Sequence, residues 1–344
     1  MNSPVADNKN SVAVLGAGGW GIAIANLLAF KKLRVFLWEF DKSAAEKLKS
    51  TRTLPQKLPG IQLNHEIDVT NNIVAATLNS HYIICVIPSQ FLRSSLAGLK
   101  GRVLNNRPIF VNLAKGIEVN TLKRMSQVIE ETIHPENYSG IATLSGPSHA
   151  EEVARDMPTA IVAASASREI AAEVQRLFAT ARFRVYTSTD IVGVELAGSL
   201  KNVIALASGM LDGLDLGDNT KGALLTRGLA EITRIGKALG ADSATFSGLS
   251  GIGDLITTCL SRHSRNRFVG EQIGKGRKLS MVLEALPMVA EGVETTRSAK
   301  KLADLYKVEM PITEQVYQVL FADKPPAIAI NELMTRGPRP EIWG

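Results

Sequence analysis

Hydrophobic positions follow two regimes along the chain. In the first half, short and nearly continuous apolar runs at residues 12–15, 34–38, 82–86, 109–113 and 141–144 have the length and composition of strands. Helix-like segments begin between them, near Trp20, Lys42, Ser89 and Thr121. Strands that are apolar on both faces belong to a sheet covered on both sides, as parallel sheets are. The pattern therefore predicts a doubly wound α/β domain over residues 1–190, with its ligand beyond the C-terminal ends of the strands. After Asp190 the period lengthens. Residues 192–211, 220–239, 281–286, 295–306 and 311–321 read as helices jointed by glycine or proline, so residues 191–344 are expected to form an all-α C-terminal domain.

Composition narrows the picture. A chain of 344 residues with 45% hydrophobic and 21% charged residues is a folded chain of two-domain size, and disorder is excluded as its overall description. Its two cysteines, Cys85 and Cys259, stand in separate apolar surroundings without metal-ligand spacing, which predicts neither a disulfide scaffold nor a zinc site and favours a reducing, cytoplasmic setting. The net charge of +6 suits anionic small ligands. Residues 11–30 are uncharged and long enough to span a bilayer, but four glycines fall between Gly16 and Gly21, and the preceding segment pairs Asp7 with Lys9 instead of being strongly basic. No targeting segment and no stable membrane insertion are expected.

The glycines carry chemistry. Ser11-Val-Ala-Val-Leu-Gly16-Ala-Gly18-Gly19-Trp20-Gly21 is a strand running into G-x-G-x-x-G and an apolar helix, the Rossmann-like arrangement for a dinucleotide. Gly16 suits the tight turn, Gly18 the approach of a pyrophosphate, and Gly21 close helix–strand packing. Glu39 ends the second strand, where an adenosine ribose would lie. Trp20 reads equally as a plug under the loop or as a wall over the pyrophosphate. Lys115, directly after a strand and before Gly116, is placed to reach a ligand, a surface lysine at the start of a loop being the alternative. Gly146 and Ser148 follow another strand with amides and hydroxyls suited to an oxygen-rich ligand, a plain N-cap by Ser148 being the alternative. Lys201 lies in a strongly apolar helix one turn after Gly198; such a lysine acts as an acid or base, or is a core lysine paired with Glu195. Asp254 and Thr258 share one helical face, and Ser264-Arg265-Asn266-Arg267 reads as an anion clamp or as a solvated charged face. No aromatic residues interleave with it, so a nucleic-acid platform is not expected.

GAGGWG, IPSQ, AKG, SGPS, GVELAGSLKN, GIGD and SRNR, in this order and followed by MVAEGVETT and NELMTR, resemble the NAD(P)-dependent glycerol-3-phosphate dehydrogenases of the bacterial type. The resemblance implies reversible hydride transfer between sn-glycerol 3-phosphate and NAD or NADP, giving dihydroxyacetone phosphate and supplying glycerol 3-phosphate for phospholipid synthesis. It makes Lys201 the general acid/base, with Lys115 and Asp254 beside it. Lys115, Gly146, Ser148, Lys201, Asp254, Ser264, Arg265 and Asn266 match substrate positions. Gly19, Trp20, Lys115, Ala150, Arg265, Val289 and Glu291 match cofactor positions, and a homodimer is implied. One departure stands out: many relatives carry Ala-Arg after the second strand, where this chain has Glu39-Phe40. That change predicts a preference for NAD, unless Lys42 or Arg52 offsets the carboxylate. The competing readings are a β-hydroxyacid dehydrogenase and a dinucleotide-sensing regulator without turnover.

Overall fold

The structure, a computed structural model, describes residues 11–341 apart from residues 287 and 339. The leading segment, read above as lacking a basic leader, lies outside them. Contacts divide the chain into two compact units.

Unit 1 comprises residues up to Ala114, together with Met125–Leu144 and Ser148–Thr189. It holds an eight-stranded sheet of order β3-β2-β1-β4-β5-β6-β7-β8. The strands are β1 (Ser11–Leu15), β2 (Arg34–Trp38), β3 (Asp68–Thr70), β4 (Tyr82–Cys85), β5 (Ile109–Asn112), β6 (Gly140–Ser145), β7 (Thr159–Ala164) and β8 (Phe183–Ser188). Strands β1 to β6 pair in parallel, as do β7 and β8. Their helices are α1 (Gly19–Phe30), α2 (Lys42–Thr51), α3 (Ile73–Thr77), α4 (Leu92–Leu96), α5 (Met125–Thr132), α6 (Ala150–Val153) and α7 (Arg168–Phe178). Alternate residues of β1 enter different cores: Val12 and Val14 pack with α1 on one face, Ala13 and Leu15 with α4 and α5 on the other. Burial on both faces explains why β1, β4, β5 and β6 lack a polar alternation. Asp41 caps α2 and Ser167 caps α7, each accepting a backbone amide hydrogen bond.

Unit 2 comprises Asp190 onward together with Lys115–Arg124 and Ser145–Pro147. Its helices are α8 (Ile191–Gly213), α9 (Gly217–Ala238), α10 (Ser243–Phe246), α11 (Asp254–Leu260), α12 (Arg265–Gly274), α13 (Leu279–Glu284), α14 (Glu291–Tyr306), α15 (Pro311–Phe321) and α16 (Pro326–Met334). α8 is the axle. Among the described residues it is the helix long and apolar enough to cross a membrane, and 89% of that apolar window is buried inside the protein. It meets α12 backbone to backbone, because a Cβ on Gly209 would come 1.9 Å from the Arg267 carbonyl and one on Gly270 1.9 Å from the Leu206 carbonyl.

The expected elements are present, with three corrections. β3, β7 and β8 extend the sheet beyond the five strands read from the apolar runs. The helix expected near Thr121 begins at Met125, because residues 115–124 form a loop closed by an antiparallel bridge between Ile117 and Arg124. A single boundary after residue 190 is also insufficient. The loops leaving β5 and β6 join unit 2, where Ile117 is fully buried in its core.

Candidate active site

The interior of unit 2 gathers charged groups around α8. Lys201 is 4% exposed and Asp254 1%, so both are cut off from bulk water. The Lys201 ammonium donates to Asp254 Oδ1 at 2.6 Å and to the Thr258 hydroxyl. The Lys115 ammonium donates to the other carboxylate oxygen, Asp254 Oδ2, at 2.7 Å and to the Gly146 carbonyl at 2.9 Å. One carboxylate thus holds two cations, one on each oxygen. The four-residue spacing of Asp254 and Thr258 puts both groups beside the same ammonium.

Local structure delivers these groups. Asn112 Oδ1 accepts the Ala114 amide at 3.0 Å and turns the chain after β5, while Asn202 Nδ2 holds the Lys115 carbonyl at 3.0 Å. Gly198 permits the approach, since a Cβ there would lie 2.6 Å from Ser145 Oγ and 3.7 Å from Lys115 Cγ. Gly146 has φ near +149°, a conformation that favours glycine, and it turns its carbonyl to Lys115. Glu195, the alternative partner for Lys201, is instead bonded to Arg124 at 2.6 Å.

Burial pushes the Lys201 ammonium down to about 8; the nearby Lys115 charge adds to the fall, and Asp254 partly offsets it. For Asp254, burial favours the neutral acid, but the two lysines outweigh it and hold the carboxyl below the usual range. The site therefore contains a permanent anion and a lysine poised near neutrality, the condition for moving a proton.

The clamp sequence divides. Ser264 caps α12 by accepting the Arg267 amide at 3.2 Å. Arg267 pairs with Asp212 at 2.6 Å, and Asn266 Oδ1 accepts the Gly292 amide at 2.9 Å. Arg265 alone of the four is exposed, with one nitrogen on the Val289 carbonyl at 2.8 Å. Val289 thus touches Arg265 two residues before Glu291, the first residue of α14. The alternative reading of Ser148 as a helix N-cap does not hold, because His149 occupies the N-cap position of α6.

In unit 1 the glycine loop joins β1 to α1. Gly16 has φ near +115° and donates to the Trp38 carbonyl at 2.9 Å. A Cβ on Gly21 would come 1.8 Å from the Gly16 carbonyl, whereas one on Gly18 would meet no protein atom within 4 Å. Gly18 is the N-cap of α1, which has no side-chain cap and no acidic residue in its first turn. A dinucleotide fits this donor set: the cradle that a Gly18 Cβ would enter lies before amides at the positive end of a 12-residue helix. Trp20 and Ala150 pack, partly buried, against the unit 1 core, and Ala150 Cβ lies 3.8 Å from the Cβ position of Gly19.

Glu39 accepts Lys57 Nζ at 2.9 Å and the Asp41 amide at 3.3 Å. The cation on the carboxylate is therefore neither Lys42, which faces Glu46, nor Arg52, which binds the Ile67 and His65 carbonyls. Lys57 had no signal in the sequence, since it lies in an aperiodic Pro-containing loop.

Residues 11–171 match the N-terminal region of the NAD-dependent glycerol-3-phosphate dehydrogenases and residues 190–331 their C-terminal region. A glycerol-3-phosphate dehydrogenase [NAD(P)+] of Geobacter sulfurreducens is 51% identical over 332 residues, 96% of this chain and 99% of that one. One of Prosthecochloris aestuarii is 50% identical over 331 residues, again 96% and 99% of the two chains. The crystal structure of a glycerol-3-phosphate dehydrogenase from Coxiella burnetii superposes with a TM-score of 0.91 at 33% identity, covering 96% of this chain and 100% of that one. Sequence and fold agree, and the chain belongs to the NAD-dependent glycerol-3-phosphate dehydrogenase family.

Proposed function

We propose that this protein catalyses reversible hydride transfer between sn-glycerol 3-phosphate and NAD(P)+, giving dihydroxyacetone phosphate. The observation that carries the reading is the buried Lys201 ammonium, held by Asp254 and Thr258 and lowered to about 8. In the oxidation direction neutral Lys201 Nζ takes the proton of the substrate's secondary hydroxyl as its carbon loses hydride, and in reduction the ammonium returns a proton to the carbonyl oxygen. Asp254 stays ionised and orients both ammoniums. Lys115, already charged, disfavours the positive charge on Lys201 and donates to the same end of the substrate.

Bound NAD(P) supplies the hydride acceptor or donor at its nicotinamide C4. Gly16, Gly18, Gly19, Trp20, Gly21, Glu39 and Ala150 would hold it in unit 1, with Lys115, Arg265, Val289 and Glu291 as further contacts. The substrate phosphate requires a cation, and exposed Arg265 supplies a planar donor fork. Gly146, Ser148, Ser264 and Asn266 complete the substrate set; Ser264 and Asn266 fix the start of α12. The same proposal takes from the resemblance a homodimer, a cytoplasmic setting and a product that feeds phospholipid synthesis. Consumption of NADH or NADPH on addition of dihydroxyacetone phosphate tests the reading. Turnover of 3-hydroxyisobutyrate with none of glycerol 3-phosphate would overturn it.

A further inference from the structure

Glu39 invites a simple rule: a carboxylate at the end of the second strand accepts from a ribose diol and repels a 2′-phosphate. The structure complicates that rule with a second residue. Gly16 donates to the carbonyl of Trp38, so the next residue, Glu39, stands beside the glycine loop. Lys57 reaches the same place from a different part of unit 1. Its carbonyl lies 2.7 Å from where a Gly19 Cβ would be, so a side chain at position 19 would collide with this loop. Its ammonium sits on Glu39 Oε2 at 2.9 Å. Both charges keep some access to solvent, the Lys57 side chain being 27% exposed and that of Glu39 11%. The other Glu39 oxygen faces the Asp41 amide at 3.3 Å, which anchors the carboxylate while Lys57 retains a flexible four-carbon stem.

We propose that Lys57 is a specificity-determining residue for the adenosine end of the cofactor. Resting on the dinucleotide reading of unit 1 given above, it cancels the Glu39 charge and offers a cation to a 2′-phosphate, so that the chain uses NADPH as well as NADH. With NADH, Lys57 stays on Glu39 and the carboxylate receives the ribose hydroxyls. With NADPH, the ammonium turns from Glu39 to the phosphate, a charge-assisted contact of the kind that the Ala-Arg pair of many relatives would supply. The two residues make the strand end neutral as a pair, where Glu39 alone would exclude the phosphate. Lys57 touches only the carrier end of the cofactor and takes no part in the proton transfer.

The test is equilibrium titration of the full-length protein with NADH and with NADPH, read by reduced-nicotinamide fluorescence, alongside kcat/KM for each with dihydroxyacetone phosphate. Wild type should bind both. Lys57→Met should lower the NADPH/NADH ratio of affinities and of kcat/KM by about tenfold or more, the scale of one lost charge-assisted contact. Lys57→Arg should restore it, and Glu39→Gln should raise it. Equal losses for both cofactors in Lys57→Met would make Lys57 a loop-holding residue and overturn the inference, as would an unchanged ratio. Tight NADH and negligible NADPH binding by wild type would overturn it while leaving the dinucleotide reading intact. Binding of neither would sink both.

Discussion

Lys201→Met replaces the buried ammonium by an unbranched apolar chain of similar length. The change removes the bonds to Asp254 and Thr258 but leaves no orphaned charge, because Lys115 remains on Asp254 Oδ2 at 2.7 Å and the Thr258 hydroxyl lies 3.3 Å from Asp254 Oδ1. Removing one partner of a lone buried ion pair costs about 3–5 kcal/mol. Here the remaining cation and the relief of a desolvated ammonium should hold the stability cost to about 1–2 kcal/mol. Catalysis should lose far more. A positioned acid/base is worth about 10²–10⁴ in rate, or roughly 3–5 kcal/mol of barrier. The assay is kcat in both directions from about pH 6 to about pH 10, with thermal unfolding of the same samples. Below about 8 Nζ is charged and cannot accept the alcohol proton, so wild-type oxidation should rise with pH through that value. Above it Nζ is neutral and has no proton to give, so reduction should fall. The Met variant should keep its fold and lose both inflections. A folded variant within about tenfold of wild-type kcat, or one that kept the inflection, would show that Lys201 does not carry the proton.

Four further substitutions separate the parts of the site. Lys115→Met removes a charge that depresses Lys201, so the rising limb of oxidation should move to higher pH while kcat falls; a limb displaced to lower pH would contradict the assigned coupling. Arg265→Ala should cost about 2–5 kcal/mol in kcat/KM for the phosphorylated substrate. Added phosphite should then stimulate wild type more than the variant with a phosphate-free truncated substrate, and equal kinetics on the phosphorylated substrate would return Arg265 to a solvated face. Gly21→Ala and Gly18→Ala form a contrasting pair. The first puts a methyl 1.8 Å from the Gly16 carbonyl and should lower the melting temperature together with cofactor binding, while the second meets no protein atom and should weaken NADH binding by about tenfold or more with the melting temperature kept. Equal melting losses in the two would show that Gly18 is a structural residue.

What the sequence revealed follows from the range over which each signal acts. The glycine loop and the Asp254/Thr258 spacing are local, so covalent geometry settles them. The burial of Lys201 was legible because its helix is apolar around its whole circumference. Pairing was not legible. Lys201 is bonded to a residue 53 positions away, while Glu195, less than two turns distant on the same helix, belongs to Arg124. SRNR read as one clamp because adjacency hides direction; a helix turns successive side chains apart, sending Arg267 to Asp212 and Asn266 to Gly292. β7 is rich in alanine, which suits helix as well as strand, and β8 alternates buried with exposed positions where β1, β4, β5 and β6 are nearly continuously buried. Lys57 was hidden because an aperiodic loop carries no indication of where its side chains go.

The allotment of Lys115 and residues 145–147 to unit 2 has a consequence for how the enzyme comes into being. A polypeptide beginning at residue 190 would contain α8 and Asp254 but neither the second cation nor the buried Ile117 side chain. The cluster of Lys115, Lys201 and Asp254, proposed above as the proton-transfer centre, is thus not a module that recombination at the boundary of the helical half can transplant. On the ribosome, Lys115 is made 139 residues before Asp254, a wait of about 7–28 s at ordinary elongation rates. During that interval the dinucleotide half can already take shape, but the pair of lysines has no shared carboxylate. The buried ion-pair cluster, and with it the proposed acid/base role, therefore arrives late in synthesis, when α11 emerges and the earlier loops find it.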